Sequence, residues 1–427
     1  MQMINSNLMK LLHLSLAIVI LTPTVKASQV EVKQSSGGWT LSVDGQAYFV
    51  RGVVYQPIKI GEDPNAGTLR DWMIEDDDHD GRIDAPYQSW VDKNRNNKRD
   101  PAEPIVGDFR LLQEMGANTI RIYHHPSNAK ELQTIYGDNE SLKMQFAHPP
   151  NLALLRDLFK TYGIRVAIGD VLGAYTVGSG ASWDAGTDYR DHKQCENMMT
   201  SVEDMVRQFQ NEPFLLVYVL GNENNLEYAH TNAAAYPKVY AEFVNKVARR
   251  IHELDPHHPV VLCNGETMAL KTYAQYAPEV DIFGVNAYRK PGFGTLWKEV
   301  SETYNKPILF TEFGPGKHKV KDGILDEAST AHDHYVAWCD IERHAAGRLS
   351  PQNAIGGFAF TWLDNWWEDG EPDQQNEGGN GWNHEYQGIA SQGGGSDSPF
   401  LRQLRPTYAV YQKLWKTGEL HCDKPSQ

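Results

Sequence analysis

The stretch Phe214-Leu-Leu-Val-Tyr-Val-Leu-Gly-Asn-Glu-Asn-Asn225 decides the fold. Its apolar run, bounded by Pro213 and Gly221, predicts a strand that is buried on both faces, as the strands of a parallel sheet are. A carboxylate, Glu223, follows directly where this strand ends. Enzymes built on parallel barrels place their catalytic groups at the C-terminal ends of the strands. Glu223 is therefore a candidate catalytic residue.

The chain repeats this arrangement in Pro307-Ile-Leu-Phe-Thr-Glu-Phe-Gly314, where Glu312 follows a second apolar strand. Either glutamate alone has an equally good structural explanation, because an acid at a strand end often caps the helix or turn that follows. Two such acids after two strands of one fold are harder to explain structurally. The pair therefore favours a catalytic role for both glutamates.

Strand and helix patterns alternate along the rest of the chain. Apolar strand candidates cover residues 49–55, 118–123, 165–170, 215–220, 260–264, 282–288, 308–311 and 357–362. Helix candidates lie near residues 106–116, 151–162, 197–210, 236–254, 266–277, 295–304, 330–347 and 401–416. Eight strand-then-helix units predict an α/β protein of the (β/α)8 TIM-barrel type rather than an open sheet. Three connections after strands are long, about 57–104, 171–195 and 364–400, which places them on the catalytic face.

An alternating segment precedes the first barrel strand. Residues 39–50 alternate around Asp44-Gly45, which predicts a β-hairpin that plugs or flanks the N-terminal end of the barrel. The chain shows no internal repeat and no dividing linker. Residues 28–427 are therefore expected to form a single catalytic barrel domain.

The first 27 residues have the pattern of a signal peptide. Lys10 precedes an apolar run from Leu11 to Leu21, and Val25-Lys-Ala27 has the small residues of a cleavage site. An uncleaved membrane anchor is the alternative, but the run is shorter than the roughly 20 apolar residues that a span needs. The mature protein is therefore expected to be exported, to the periplasm or the extracellular space, without a membrane span.

Charge and cysteine content narrow the class of protein. The formal net charge is −15, and removal of Lys10 and Lys26 with the signal peptide takes it to about −17 because no acid is lost. A balance this acidic argues against nucleic acids and polyanions as partners. Four cysteines remain in the mature chain: Cys195, Cys263, Cys339 and Cys422. Export makes zero to two disulfides possible, with three full pairings open.

The two glutamates fall after the fourth and the seventh predicted strands, so their side chains can converge across the barrel mouth. Retaining hydrolysis of a glycoside needs an acid that protonates the leaving oxygen and a carboxylate, about 5–5.5 Å away, that attacks the anomeric carbon. Glu223 suits the first role and Glu312 the second. Asn222, beside Glu223, is placed to donate a hydrogen bond to the sugar 2-hydroxyl.

Several motifs resemble those of the retaining (β/α)8 glycosidase clan. Gly221-Asn-Glu223 resembles its acid/base motif and Thr311-Glu-Phe-Gly314 its nucleophile motif. The nearest members in appearance are glycoside hydrolase family 2 catalytic domains and family 72 glucanosyltransferases. The likeness extends over nearly all the mature chain, through residues 49–57, 118–123, 386–389 and 404–412. It implies a (β/α)8 fold and glycosidase chemistry.

The resemblance also implies roles for residues around the pair. Arg121 matches the arginine that keeps the nucleophile ionised, and Tyr288 matches the group that positions it. Trp362 matches the platform beneath the reacting sugar ring. A structural ion pair for Arg121 and core packing for Trp362 are the alternatives. Other side chains at predicted strand ends suit sugar binding: Tyr55, Gln56, Tyr123, His124, Asp170, Trp183, Trp366 and Trp367.

An Asp-rich insertion, residues 71–104, contains two segments with EF-hand-loop spacing. The first puts ligands at Asp76, Asp78, Asp80, the Arg82 carbonyl and Asp84. The second puts ligands at Asp92, Asn94, Asn96, the Lys98 carbonyl, Asp100 and Glu103. Tyr87 departs from the pattern at the last position of the first segment, and Asn97 replaces the turn glycine of the second. We expect structural Ca²⁺ here and no cofactor for catalysis; a solvated acidic loop is the alternative.

Taken together, these patterns predict an exported retaining glycoside hydrolase that cleaves a neutral β-linked glycan, an oligo- or polysaccharide, by double displacement. Three other functions remain open. A transglycosylase would use the same catalytic pair with a sugar as the acceptor. A non-catalytic, calcium-dependent carbohydrate-binding barrel and a calcium-dependent adhesion or scaffold protein would both leave the pair without a chemical role.

Overall fold

Parallel strands close into a barrel in the computed structural model, which describes residues 27–63, 72–124, 151–379 and 381–422. Most of the predicted signal peptide, residues 1–27, lies outside these residues. The strands are β1 (Val30–Ser35), β2 (Gly38–Val43), β3 (Gln46–Ala47), β4 (Val50–Val54), β5 (Trp90–Val91), β6 (Thr119–Ile122), β7 (Arg165–Asp170), β8 (Leu215–Leu220), β9 (Val260–Gly265), β10 (Ile282–Ala287), β11 (Ile308–Phe313), β12 (Val320–Lys321), β13 (Ile324–Leu325), β14 (Ala354–Ala359), β15 (Ala390–Ser391) and β16 (Leu401–Leu404). The closed barrel consists of β4, β6, β7, β8, β9, β10, β11 and β14 in that circular order. The predicted (β/α)8 barrel is confirmed.

Helices follow the barrel strands. They are α1 (Asp84–Gln88), α2 (Asp108–Met115), α3 (Leu152–Tyr162), α4 (His192–Phe209), α5 (Pro237–Leu254), α6 (Leu270–Tyr276), α7 (Leu296–Thr303), α8 (Glu327–Arg343) and α9 (Pro406–Trp415). The side chains of Asn151, Asp191 and Asp326 accept backbone N–H bonds at the starts of α3, α4 and α8. The apolar faces of the helices pack against the strands and contribute to the buried core. Within the described ranges, no helix is both long and apolar enough to cross a membrane.

The N-terminal strands form a small antiparallel sheet in the order β1-β2-β3, with Asp44-Gly45 in the turn between β2 and β3 as predicted. Val30, Leu41 and Val43 are buried in the same core cluster as the residues that fill the barrel. The backbone N–H of Val30 donates to the carbonyl of His257, just before β9 begins. The sheet therefore covers the N-terminal end of the barrel and leaves the opposite end for the site.

The eighth barrel strand lies earlier in the chain than predicted. β14 covers residues 354–359, whereas the sequence pattern predicted 357–362. The strand starts earlier because Gly356 lets its backbone approach β4 closely: a Cβ at Gly356 would lie 2.1 Å from the carbonyl oxygen of Val50. Phe360 and Trp362 therefore lie beyond the strand end.

A third small sheet, β15-β16-β5, was not predicted. Residues 401–404 were expected to begin the last helix, but they form β16, which pairs with β5 and β15. The helix begins only at Pro406, because proline disfavours helical backbone in the residue before it. This sheet joins the Asp-rich insertion to the C-terminal part of the chain.

A disulfide joins Cys339 in α8 to Cys422, while Cys195 and Cys263 are free. The sequence left this pairing open. The two bridged cysteines are 83 residues apart, so the bond fixes the C-terminal end of the described chain against α8.

Removal of this disulfide is expected to lower the free energy of unfolding by about 2–4 kcal/mol, because the cross-link restricts the unfolded chain over a long loop. The Cys339→Ala/Cys422→Ala double variant should unfold at lower urea concentration than the wild type in non-reducing buffer. Cys195→Ala, which removes a free cysteine, is the control and should change stability far less. Equal midpoints for the double variant and the wild type would show that the bond does not stabilise the protein.

Candidate active site

Both predicted catalytic acids lie at the C-terminal ends of barrel strands. Glu312 is the fifth residue of β11, and Glu223 follows β8 in a sharp turn. A Cβ on Gly221 in that turn would lie 2.7 Å from Asn224 Oδ1, so only glycine fits there. Glu223 itself has φ +55°, a left-handed conformation that non-glycine residues adopt rarely and often at functional sites.

The carboxylate of Glu312 accepts three hydrogen bonds. Arg121 Nη1 donates to its Oε1 over 2.9 Å, and Tyr123 Oη donates to the same oxygen over 2.7 Å. Tyr288 Oη donates to Oε2 over 2.6 Å. The structure thus brings Arg121, Tyr123 and Tyr288 together around Glu312, and these contacts hold the carboxylate in one orientation.

The hydroxyl groups of Tyr123 and Tyr288 remain hydrogen-bond donors to Glu312. Burial, followed by the charge of Glu312, holds the pKa of Tyr288 well above its usual value. Burial and the charge of Glu312 also hold the pKa of Tyr123 well above its usual value, although the charge of Arg121 lowers it. Tyr123 and Tyr288 therefore stay protonated across the physiological pH range and donate to Glu312.

Glu223 has the opposite environment, because no basic side chain forms an ion pair with it in the described part of the chain. Burial, and then the charge of Glu312, raise the pKa of Glu223 to about 8. Tyr228 Oη donates to Glu223 Oε2. Glu223 therefore holds a proton at neutral pH, as a general acid must.

A polar layer lies beneath the two acids. The amide oxygen of Asn222 accepts from Arg121 Nη2 over 2.9 Å and from Asn286 Nδ2 over 3.2 Å. Thr311 Oγ1 donates to Asn286 Oδ1 over 2.7 Å, and the buried Cys263 thiol lies between these groups. Protein donors thus occupy the amide oxygen of Asn222, while its Nδ2 group donates to the Tyr175 hydroxyl over 3.4 Å.

Aromatic rings line the side of the site next to Glu312. The Tyr288 ring meets the edges of Phe360 and Trp382, with centroids 6.2 and 6.0 Å away. His384 stacks on Trp382 with centroids 5.9 Å apart. Phe360 and Trp382 are only half-buried, so their rings are available to a sugar face.

Two predicted substrate contacts, Trp362 and Tyr55, lie elsewhere. Trp362, expected to be the sugar platform, is 0% exposed and belongs to the core between strands and helices, near Tyr408. Tyr55 is also in that core, where its hydroxyl donates to Asp108 Oδ2 over 3.2 Å. Trp366 is only 7% exposed. Glu312 itself is 5% exposed, so burial alone does not place Trp366 outside the site. Trp362 lies in the packed layer because β14 ends at residue 359, three residues earlier than predicted.

The residues at the site that were not predicted include Asn286 and Tyr175 of the polar layer and also Tyr228, Phe360, Trp382 and Glu368. Tyr228 follows Glu223 by five residues, and Phe360 is the first residue after β14, so a correct strand end would have indicated it. Burial raises the pKa of Glu368 to about 7, with Glu312 among the charges that raise it. Trp382 and Glu368 belong to the long connection 364–400, whose folded path no local pattern predicts.

The two Asp-rich segments differ. In the first, carboxylates of Asp76, Asp78 and Asp84 lie within 4.8 Å of one another. In the second, the Glu103 carboxylate accepts the backbone N–H groups of Lys93 and Asp100, over 2.7 and 3.0 Å. No three acidic, histidine or cysteine ligands come that close in the described part of the second segment. The structure thus brings together three predicted carboxylate ligands of the first segment, whereas in the second the amides of Asn94 and Asn96 donate to Asp100.

Comparison with known protein families gives one match. The sequence profile of the glycosyl hydrolases family 2, TIM barrel domain, matches residues 92–339. This range covers more than half of the chain and includes both glutamates. No curated protein matches the chain.

Several solved structures share the fold. A β-D-glucuronidase from Dictyoglomus thermophilum is 15% identical with a TM-score of 0.50, over 92% of this chain and 54% of that chain. A β-galacturonidase of the same family from Eisenbergiella tayi, bound to galacturonate, is 14% identical with a TM-score of 0.51, over 91% and 54%. A Bacteroides uniformis β-glucuronidase is 15% identical with a TM-score of 0.52, over 90% and 37%. The chain thus spans about half or less of the length of these structures, and at such identity the likeness shows the fold alone.

Proposed function

Because the chain belongs to the TIM barrel domain family of the family 2 glycosyl hydrolases, we propose that it hydrolyses β-linked glycosides with retention of anomeric configuration. The observation that carries this proposal is the contrast between the two glutamates. Glu312 accepts three hydrogen bonds from Arg121, Tyr123 and Tyr288, whereas Glu223 has its pKa raised to about 8. Carboxyl groups with such different environments divide into a nucleophile and an acid/base.

In the first step of the proposed reaction, the Glu312 carboxylate attacks the anomeric carbon while Glu223 gives its proton to the leaving oxygen. A glycosyl ester on Glu312 results, and the aglycone leaves as an alcohol. In the second step, Glu223 takes a proton from water, which attacks the same carbon and releases Glu312. Asn222 Nδ2 donates a hydrogen bond to the sugar 2-hydroxyl, and this bond strengthens in the transition state.

The charges near the site support a neutral sugar as the substrate. A uronic acid is bound most strongly where a basic side chain donates charge-assisted hydrogen bonds to its carboxylate. The two basic residues after Tyr288 are engaged: Arg289 pairs with Glu266, and Lys290 pairs with Asp333 over 2.6 Å. This proposal departs from the glucuronidase and galacturonidase names of the similar structures. Faster hydrolysis of a nitrophenyl β-glucuronide than of neutral nitrophenyl β-glycosides would overturn it.

Export is part of the proposed function. It is supported by the lysine-led apolar run at residues 11–21 and by the disulfide between Cys339 and Cys422, a bond that forms in oxidising compartments. N-terminal sequencing of the protein from its native host would test it, with cleavage after Ala27 expected.

Retention of configuration can be observed directly. On the β-glycoside that is hydrolysed fastest, ¹H NMR of the first minutes of reaction should show the β-anomer of the product before mutarotation. Double displacement predicts this result because each of two attacks inverts the anomeric carbon. If the α-anomer formed first, a single displacement by water would be indicated, and the proposed role of Glu312 would be wrong.

A further inference from the structure

We propose that the first Asp-rich segment binds one Ca²⁺ ion through the carboxylates of Asp76, Asp78 and Asp84. Oxygens of these three side chains lie within 4.8 Å of one another. None of the three forms an ion pair with a basic side chain in the described part of the chain. Three carboxylates at this spacing repel one another unless a cation lies between them.

The buried Asp84 gives an independent reason to place a cation here. Its side chain is 0% exposed, and its Oδ2 accepts the backbone N–H of Asp77 over 2.9 Å. Its other oxygen, Oδ1, is buried without a hydrogen-bond partner among the residues that the structure describes. A buried acceptor without a partner is unfavourable, and such groups usually mark an ion, a water or strain. A cation among the three carboxylates supplies the missing partner.

The amide of Gln88 reaches the same cluster from α1. Its Nε2 donates to Asp78 Oδ2 over 3.0 Å and to Asp80 Oδ2 over 3.1 Å, while its Oε1 is buried with no hydrogen-bond partner in the described ranges. Rotation of this amide by 180° exchanges the positions of Nε2 and Oε1. Oε1 then faces the cation among the carboxylates as a neutral oxygen ligand. Gln88 thus stands one residue after Tyr87, the position at which the sequence pattern lacks a ligand.

A second grouping shares Asp84 with Glu75 and Asp77. There the carboxylate of Asp77 pairs with Lys59, which already supplies a positive charge. The grouping with Asp76 and Asp78 lacks such a partner, and it also has the spacing of an EF-hand loop. The ion therefore belongs on that side of Asp84.

The available ligands favour calcium. Carboxylate, amide and carbonyl oxygens are hard ligands, and Ca²⁺ accepts six to eight of them in irregular arrangements. Mg²⁺ requires near-octahedral geometry and keeps several waters, so it should bind more weakly.

Isothermal titration of CaCl₂ into the chelator-treated, full-length protein should show one ion per chain. Saturating calcium should raise the melting temperature by about 3–5 °C, because an ion that binds only the folded state stabilises it. Asp78→Asn and Asp84→Asn should each weaken binding by about tenfold or more. Asp100→Asn, an equivalent change in the second segment, is the matched control and should bind as the wild type does.

Absence of binding at millimolar calcium would overturn the proposal. So would unchanged affinity in both Asp78→Asn and Asp84→Asn, or loss of binding in Asp100→Asn instead. Asp78 is exposed, so Asp78→Asn is expected to fold. If the change at the buried Asp84 unfolds the protein, calcium binding by Asp78→Asn still decides the test. Circular dichroism of each variant without calcium checks the fold.

Discussion

Replacement of Glu312 by alanine is expected to lower kcat/KM on aryl β-glycosides by about 10⁵-fold, the scale seen when an enzyme loses its nucleophile. The loss should appear in kcat, because without the carboxylate no covalent intermediate forms. Glu227→Ala is a suitable control: this exposed glutamate is close to Glu223 in the chain but has no place in the proposed reaction. Initial rates at saturating substrate measure both variants.

The structure indicates how a merely structural loss would differ. Glu312 is buried and pairs with Arg121, so its removal leaves the guanidinium without its ion pair and lowers stability as well. Thermal melting of Glu312→Ala therefore accompanies the kinetics, and rates are compared well below its melting temperature. A folded Glu312→Ala protein with more than about a hundredth of wild-type activity would exclude Glu312 as the nucleophile.

Replacement of Glu223 by alanine is expected to change the pH dependence and the leaving-group dependence of the reaction. With its pKa raised to about 8, Glu223 is protonated below that pH and loses its proton above it. Wild-type kcat/KM should therefore fall as pH rises through about 8, since this profile reports the free enzyme. The variant should lack that fall.

The same variant should lose about 10²–10⁴-fold in rate on substrates with poor leaving groups, which need a proton to depart. It should lose far less in glycosylation by dinitrophenyl glycosides, whose leaving group needs no proton. A basic limb that persists in Glu223→Ala would assign the titration to another group, and Glu368, with a pKa near 7, would be the next candidate. An equal loss on good and poor leaving groups would remove Glu223 from the acid role.

The sequence predicted the barrel and the groups that lie at its strand ends. Glu223 follows one apolar strand and Glu312 lies near the end of another, and both strands are unambiguous in composition, so the placement of the two acids depends only on the order of the strands. Arg121 and Tyr123 alternate along and just after β6, which brings both to Glu312. For these positions, local pattern and barrel symmetry are sufficient.

Local pattern and barrel symmetry did not predict the position of Trp362. A strand placed three residues too late put Trp362 at the mouth and left Phe360 inside, whereas the structure has the opposite arrangement. The start of β14 depends on the contact between Gly356 and Val50, which are about 300 residues apart in the sequence. No local pattern carries that information.

The long loops were beyond prediction for a similar reason. Tyr228, Glu368 and Trp382 reach the site through irregular backbone, whose course depends on tertiary contacts and not on a hydrophobic period. The two Asp-rich segments look alike in sequence, yet only Asp84 of the first presents a buried carboxylate oxygen without a partner. Asp92 and Glu103 of the second segment are buried too, but their carboxylates accept hydrogen bonds, and such partners are a property of the folded chain.

The division of roles between the two glutamates is tested most directly by azide rescue of Glu223→Ala and Glu312→Ala with an activated aryl β-glycoside. In Glu223→Ala, the covalent intermediate still forms on Glu312 and azide replaces water, so the product should be the β-glycosyl azide. In Glu312→Ala, azide enters the space of the missing nucleophile and attacks once, so the product should be the α-glycosyl azide. An α-glycosyl azide from Glu223→Ala and a β-glycosyl azide from Glu312→Ala, read from the anomeric coupling constants by NMR, would contradict the assignment.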